Sequence, residues 1–286
     1  VTEILNNQAS APPSGLTAEL DLRQHRERAY HEAFAQRHSH KKSEPVPLDV
    51  IEPGPRRPWN GYWTTYDLLM TEGLHGKRVM IPGCGFGEDA IRVAKLGAEV
   101  YAFDLSPDLL EIARQRAALM GVNGIHFDSM PAETLSYPDN FFDIVFFNDI
   151  LHHVDIAKSV AESKRVIKPG GRVIANELYT HSLMQRVRES RLVTGFLYRL
   201  MVKFIYGTTE TYITEDEHKI DEHELALLEA VLRPGSKHYY FLFLAGRLFP
   251  AVWVRVAKFD RAVFAAFPAF GRLLAGRILI DGTIEK

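Results

Sequence analysis

Arg78-Val79-Met80-Ile81-Pro82-Gly83-Cys84-Gly85-Phe86-Gly87-Glu88 is the stretch that decides the fold. Val79 to Pro82 form a short apolar run of the kind buried on both faces of a sheet. Three glycines follow, and Glu88–Leu96 then continues with helical spacing. Strand, glycine turn and helix make the first half of a βαβ unit. Glycine lets the backbone turn tightly and lets a ligand come close where a Cβ would block it. The first turn of the helix offers unpaired N–H groups to polar ligand atoms. A turn of this kind is, by itself, a weak sign of a ligand.

Working outward, the alternation repeats. Arg78–Pro82, Ala98–Asp104, Gly124–Phe127, Phe142–Asn148 and Gly171–Glu177 read as strands, with helices at Glu88–Leu96, Pro107–Met120 and Ile156–Ile167 between them. Each crossover is long enough for a right-handed parallel return. A helix at Asp221–Leu232, a strand near His238–Phe243 and a last strand at Arg277–Ile280 complete the set. The expected fold is α/β: a Rossmann-like, seven-stranded, mostly parallel sheet with helices on both faces and an added helical cap. The cap comes from two amphipathic stretches, Leu183–Ile205 and Ala251–Phe267. Residues 1–58 read as an N-terminal leader and charged helix. Residues 59–286 read as the main domain, with helical inserts at about 181–210 and 244–275.

Glycine spacing separates two classes of nucleotide ligand. The dinucleotide pattern is G-x-G-x-x-G, whose third glycine brings the helix close to a pyrophosphate. Here Gly87 comes one residue early and Glu88 takes the dinucleotide position, where a carboxylate opposes pyrophosphate. Asp104 ends the second predicted strand, where an acid accepts from the ribose hydroxyls of an adenosine. Its other reading, as the cap of the following helix, suits Ser106 better.

Val79 to Gly87 followed by Phe103-Asp104-Leu105-Ser106 resembles the first two motifs of class I S-adenosylmethionine-dependent methyltransferases. Ala132-Glu133-Thr134-Leu135, Asn140 to Val145, Leu151-His152-His153-Val154 and Arg165 to Gly171 resemble the later motifs of their ubiquinone/menaquinone-biosynthesis-like branch. The resemblance runs from about Gly76 to Glu177, and the ordered conjunction is far more specific than any one motif. It implies S-adenosyl-L-methionine as cofactor, bound by the Gly83, Cys84, Gly85 and Gly87 loop under the methionine moiety. Asp104 would sit on the ribose, Leu105 on the adenine, Ala132 and Glu133 at the adenine edge, and Asn148 at the sulfonium end. One departure is Pro131, where many relatives place an acid for the adenine amino group; Asp128, Ser129, Glu133 or backbone carbonyls are left for that task.

Methyl transfer from a sulfonium needs alignment and exclusion of water more than acid–base chemistry. Two groups are candidates for a catalytic role: His153, in the His152-His153 pair, and Glu177, at the end of the fifth strand. A loop histidine hydrogen-bonded at a strand end is the structural alternative. Trp59, Tyr62, Trp63 and Tyr66 either wall an acceptor pocket or pack their helix on the core. A dinucleotide oxidoreductase and a non-catalytic adenosyl-binding protein remain the competing functions.

Composition narrows the partners. The chain has 286 residues, 46% hydrophobic, with a net charge of -2, so nucleic acid is not an expected partner. The single cysteine excludes an intramolecular disulfide and suits a reducing compartment. Val1 to Asn7 have neither a basic start nor an apolar run, so a cytoplasmic location is expected. The histidines and cations of Arg37 to Lys42 read as a solvated basic loop, and no metal site is expected. Leu183–Ile205 carries Arg186, Arg188, Arg191, Arg199 and Lys203 against Glu189, and Arg233–Ile280 is likewise basic. Basic amphipathic helices can lie on anionic membrane surfaces, which is one reading here: a small-molecule acceptor that is hydrophobic or lipid-linked, with peripheral membrane contact. The other is a helical cap packed on the sheet with its basic residues solvated. Oligomeric state is not legible.

Overall fold

A computed structural model of the chain describes residues 15–191, 219–242 and 253–286. The leader at 1–14 and most of the insert expected at 181–210 lie outside the described residues. In chain order the elements are α1 (Gly15–Arg37), α2 (Gly61–Glu72), β1 (Arg78–Pro82), α3 (Glu88–Lys95), β2 (Glu99–Asp104), α4 (Pro107–Leu119), β3 (Ile125–Ser129), β4 (Phe142–Asn148), α5 (Ile156–Val166) and β5 (Ile167–Leu178). They continue with α6 (Ser182–Glu189), α7 (Glu222–Glu229), β6 (Lys237–Phe241), α8 (Trp253–Ala266), α9 (Pro268–Leu274) and β7 (Arg277–Thr283).

The strands form one seven-stranded sheet in the order β3-β2-β1-β4-β5-β7-β6. β1 to β5 run parallel and β7 lies antiparallel between β5 and β6. The fold is therefore the expected Rossmann-like α/β sheet, mostly parallel. Alternate residues feed two cores, as a period of two requires. Val145 and Phe147 of β4 enter one core with Met80 and Phe103, while Ile144 and Phe146 enter the other with Ile81 and Val100. Both faces of the central strands are buried, which is why those strands read as unbroken apolar runs.

Caps set where the helices start. Ser106 accepts from the Leu109 N–H at 3.3 Å and Pro107 occupies the first turn of α4. Asp155 caps α5 through the Lys158 N–H at 3.1 Å. β5 begins earlier than the apolar run suggested. Ile167 already pairs with Phe142, the register then shifts, and Arg172 pairs with Ile144. Lys168 to Gly171 absorb the extra residues, and Gly170 takes φ +72°, the left-handed value that glycine supplies without strain. The amphipathic stretch expected at 251–267 contains α8, and Pro268 opens the separate helix α9.

Chain order reverses between β1 and β4. In open α/β sheets that reversal opens a crevice at the carboxyl ends of the strands, and a cavity lies there among the described residues.

Candidate active site

A cavity of about 400 Å³ is lined by Gly83 and Gly85 after β1, Asp104 and Leu105 after β2, Ala132 and Glu133 after β3, and His152 and His153 after β4. A further wall comes from α1, through Arg23, Gln24, Glu27, His31 and Phe34. The glycine turn is built on the sheet. The Cys84 N–H donates to the Phe103 carbonyl at 3.0 Å, and the Gly87 N–H donates to the Cys84 carbonyl at 2.8 Å. Gly83 has φ +60°, and a Cβ there would sit 2.4 Å from Ile150 Cδ1. Gly85 has φ +49° with open space where its Cβ would be.

Asp104 is 7% exposed and its carboxylate is held from two sides. Oδ2 accepts from the Gly85 N–H at 2.9 Å and Oδ1 from the Ser106 N–H at 3.0 Å. Each oxygen keeps a further lone pair, the equipment for receiving paired hydroxyls. Ser106, not Asp104, caps α4, as the residue types suggested. At the neighbouring wall, Glu133 accepts from the Asp155 N–H at 2.9 Å and from Gln24 Nε2 at 3.0 Å. Asp128 accepts from the Tyr137 hydroxyl at 2.8 Å and does not line the cavity. The corner marked by Pro131 therefore offers a ligand its backbone and the Ala132 surface, with both nearby acids already engaged.

Glu177 is fully buried and lies behind the cavity wall. Its Oε1 accepts from the Ile150 and Leu151 N–H groups, each at 2.9 Å, and Oε2 lies 3.0 Å from His152 Nδ1. That contact directs the His152 Nδ1 proton to Glu177 and fixes the ring. Glu177 thus shapes the turn after β4 and has no path to a bound acceptor. His153 does line the cavity, its ring 4.3 Å from that of His152 and its Nδ1 3.5 Å from Glu27 Oε2. Burial would raise the Glu27 carboxyl, yet the flanking His153 and His31 imidazoles hold it well below the usual carboxylate range.

Three residues of the expected cofactor set are placed elsewhere. Cys84 packs into the core against α2 and β1, where burial pushes its thiol up. Gly87 caps α3 with φ +75°, and a Cβ on it would lie 2.7 Å from the Ala113 Cβ of α4. Its lack of a side chain serves helix packing. Asn148 turns away from the cavity: its Nδ2 donates to Asp89 Oδ2 at 2.7 Å, and its Oδ1 accepts from Asn176 Nδ2 at 2.7 Å. Asp89 also accepts from the Tyr66 hydroxyl at 2.6 Å and the Tyr62 hydroxyl at 3.2 Å. Burial, with Asp89 alongside, raises the Tyr66 phenol well above its ordinary value. Trp63 and Tyr66 are core residues, while Trp59 and Tyr62 line a second cavity of about 240 Å³ with Asp149, Asn176 and Arg277. Arg277 grips Asp149 at 2.9 and 3.1 Å, and Asp149 borders both cavities. Glu88 also faces away, pairing with the buried Arg116 at 3.2 Å. Its charge does not point at the ligand space, so the repulsion expected of it at that position does not operate directly.

The charged helix expected in the first 58 residues is present as α1, but sequence reasoning missed its place in the cavity wall. Phe34 packs 5.4 Å from the Phe86 ring, and Ala35 joins Leu109 and Ile112 of α4, which seats the helix over the cavity. Arg23 lines the cavity with its Nε and Nη2 buried and without a hydrogen-bond partner among the described residues. The signal was present: Arg23, Glu27, His31 and Phe34 recur at helical spacing and share one face.

Part of the chain is similar to known methyltransferases. A family model described as a methyltransferase domain matches residues 81–175. The ubiquinone/menaquinone biosynthesis C-methyltransferase of Pseudomonas fluorescens is 31% identical over 175 residues, covering 57% of this chain and 64% of that protein. A ubiquinone biosynthesis O-methyltransferase of Alkalilimnicola ehrlichii is 39% identical over 108 residues, covering 37% of this chain and 43% of that protein. The chain thus spans less than two thirds of the length of these relatives. In fold it is similar to phosphoethanolamine N-methyltransferase 2 of Haemonchus contortus, solved with S-adenosylhomocysteine, at a TM-score of 0.51 and 17% identity over 78% of this chain and 52% of that one. Among the described residues no helix is long and apolar enough to cross a membrane. With a glycine turn at the sheet's switch point, an acid at the end of β2 and a match over residues 81–175, the chain has a Rossmann-like fold and carries a stretch similar to the methyltransferase domain.

Proposed function

We propose that the chain transfers the methyl group of S-adenosyl-L-methionine to a small hydrophobic acceptor by direct in-line displacement. The observation that carries this reading is the Asp104 carboxylate, oriented by the Gly85 and Ser106 N–H groups at the cavity wall. In this reading its free lone pairs receive the ribose hydroxyls, and Leu105 covers the adenine. Ala132 and the backbone around Glu133 meet the adenine edge. Gly83 and Gly85 leave room for the methionine moiety, and Arg23 offers its buried N–H groups to the methionine carboxylate. Asn148 and Glu177 act from behind the wall, holding Asp89 and His152 in place. When bound, the cofactor supplies an electrophilic methyl group on a cationic sulfur.

The acceptor end is walled by Phe34, Ile150, Val154, Leu178 and His153. Apolar walls exclude water and align a flat, apolar molecule. The relatives named for ubiquinone biosynthesis support an acceptor of the same kind, a ring compound with a hydrophobic body. Residues 1–58 are proposed as an N-terminal leader and helix, of which α1 walls the site, with 59–286 as the methyltransferase body. Phe259 of α8, Phe270 of α9 and Phe267 between them are exposed, as are Lys258 and Arg255, which supports peripheral contact with an anionic membrane from the cytoplasmic side. Vesicles containing phosphatidylglycerol are expected to pellet the protein, and neutral vesicles to leave it in solution.

Calorimetric titration tests the cofactor. S-adenosylhomocysteine is expected to bind and NAD to be silent. A panel of phenolic and quinone-like acceptors incubated with S-adenosylmethionine is expected to release S-adenosylhomocysteine for at least one member. Binding of NAD alone would overturn the reading in favour of an oxidoreductase. Tight cofactor binding with no transfer to any acceptor would favour an adenosyl-binding protein.

A further inference from the structure

Glu27 and His31 stand one helical turn apart on α1, so their side chains emerge on one face. That face meets His153 in the turn after β4. Glu27 Oε2 lies 3.4 Å from His31 Nε2 and 3.5 Å from His153 Nδ1, and the three atoms lie within 4.8 Å of one another. A charge-assisted N–H···O bond contracts to about 2.7–2.9 Å, and both contacts are clearly longer. Two ligands on one tetrahedral ion, with bonds of about 2.0–2.2 Å, are held roughly 3.3–3.5 Å apart. The two separations are those of loose ion pairs and equally match atoms arranged around a shared centre. The Glu27 side chain is 3% exposed and that of His153 10%, and His153 Nδ1 is buried without a hydrogen-bond partner.

We propose that Glu27 Oε2, His31 Nε2 and His153 Nδ1 bind a divalent transition-metal ion of the zinc class, with one open position facing the cavity. Two imidazoles and one carboxylate suit zinc and its neighbours in the series, whereas magnesium and calcium take oxygen sets. Three protein ligands with a fourth position left for solvent or substrate is the pattern of catalytic rather than structural zinc. His152 supports the site from outside: Glu177 holds its Nδ1 at 3.0 Å, and its ring lies 4.3 Å from the His153 ring. All three ligands line the same cavity as Asp104 and Gly85, so the open position faces the space left for the acceptor.

The ion's role rests on the methyl-transfer reading; the site itself does not. A hydroxyl of the acceptor takes the open position and releases its proton to water. Its oxygen lone pair then forms the O–CH3 bond as the S–CH3 bonding pair returns to sulfur, leaving neutral S-adenosylhomocysteine and a methyl ether. The substrate class is therefore a phenol or enol, methylated on oxygen.

The test uses the tag-free full chain, stripped with chelator and dialysed, then titrated with Zn2+ and, separately, with Co2+ as a spectroscopic probe. The expected result is uptake of one ion per chain and a tetrahedral Co2+ absorption band. The double variant Glu27→Gln/His153→Ala is expected to lose uptake by more than about 100-fold, and His152→Ala to weaken it by about 10- to 100-fold. The exposed pair His40→Ala/His223→Ala is expected to change nothing. Wild-type protein that takes up no ion, or uptake that survives the double variant, overturns the site. S-adenosylhomocysteine binding is measured on the same samples. Its failure refutes the proposed function separately, and its retention in the double variant shows that the fold persists.

Discussion

Replacing Gly87 with alanine separates packing from ligand binding in the glycine turn. Gly87 has φ +75°, and the added Cβ would lie 2.7 Å from the Cβ of Ala113. An L-residue in the left-handed region costs about 1–2 kcal/mol. Overpacking a rigid contact costs about 1–3 kcal/mol more, because the Ala113 methyl has no rotamer through which to retreat. Together Gly87→Ala is expected to lose about 2–5 kcal/mol, with or without cofactor, when urea unfolding is followed by circular dichroism. The double variant Gly87→Ala/Ala113→Gly relieves the clash and keeps the φ strain. It adds about 1 kcal/mol for glycine within a helix, so it is expected to recover part of the loss. Gly85→Ala is the contrast: its Cβ meets no atom within 4 Å, which leaves only the φ +49° strain. A stability loss below about 1 kcal/mol in Gly87→Ala, or a defect confined to cofactor affinity, would refute the close approach of α3 and α4.

Three further outcomes follow from the site and its surroundings. Asp104→Asn removes a charged acceptor worth about 1.5–3 kcal/mol, so S-adenosylhomocysteine affinity is expected to fall about 10- to 100-fold by calorimetry; unchanged affinity would move the ribose elsewhere. Asp89→Ala strands the Tyr62, Tyr66 and Asn148 donors and the buried Arg92, and is expected to lose about 3–5 kcal/mol in urea unfolding. Burial would raise the Glu222 carboxyl, but the Ser182 hydroxyl and N–H hold it down to about 2 from an ordinary 4.5. Its stabilisation is complete above pH 4.5 and fades as the pH falls towards 2. Glu222→Gln is therefore expected to flatten the stability profile in that acid window.

The elements whose own residues carry the pattern were legible in the sequence. β1 and β4 match the apolar runs residue for residue, because a strand buried on both faces records its position in every residue. Ser106 was legible as the cap of α4 for a similar reason: capping geometry is local. What failed to show depends on direction. Asn148 sits at the expected strand end, but Asp89 and Asn176 draw its amide behind the wall, and both lie far away in sequence. Glu177 likewise reads as an acid at the crevice, although two backbone N–H groups and His152 have claimed its oxygens. The α1 wall was hidden because its charged face reads as solvated until the sheet is placed beneath it. Ser182 begins a helix as expected, but most of the insert that follows lies outside the described residues.

The two hydrogen bonds of Glu133 have a consequence beyond geometry. One fastens the start of α5 and the other fastens Gln24 of α1, while the residue lines the cavity between them. A ligand that fills this space touches α1 only when the helix is seated, so ligand binding and helix seating are thermodynamically linked. At a free concentration about 100 times its Kd, such a ligand adds about 2.7 kcal/mol to the free energy of lifting α1 away. Amide exchange over Gly15–Arg37 then slows about 100-fold, while local openings remote from the cavity, such as those of Glu222–Glu229, keep their own rates. The first helix of the described chain thus works as a built-in gauge of whether the site is filled.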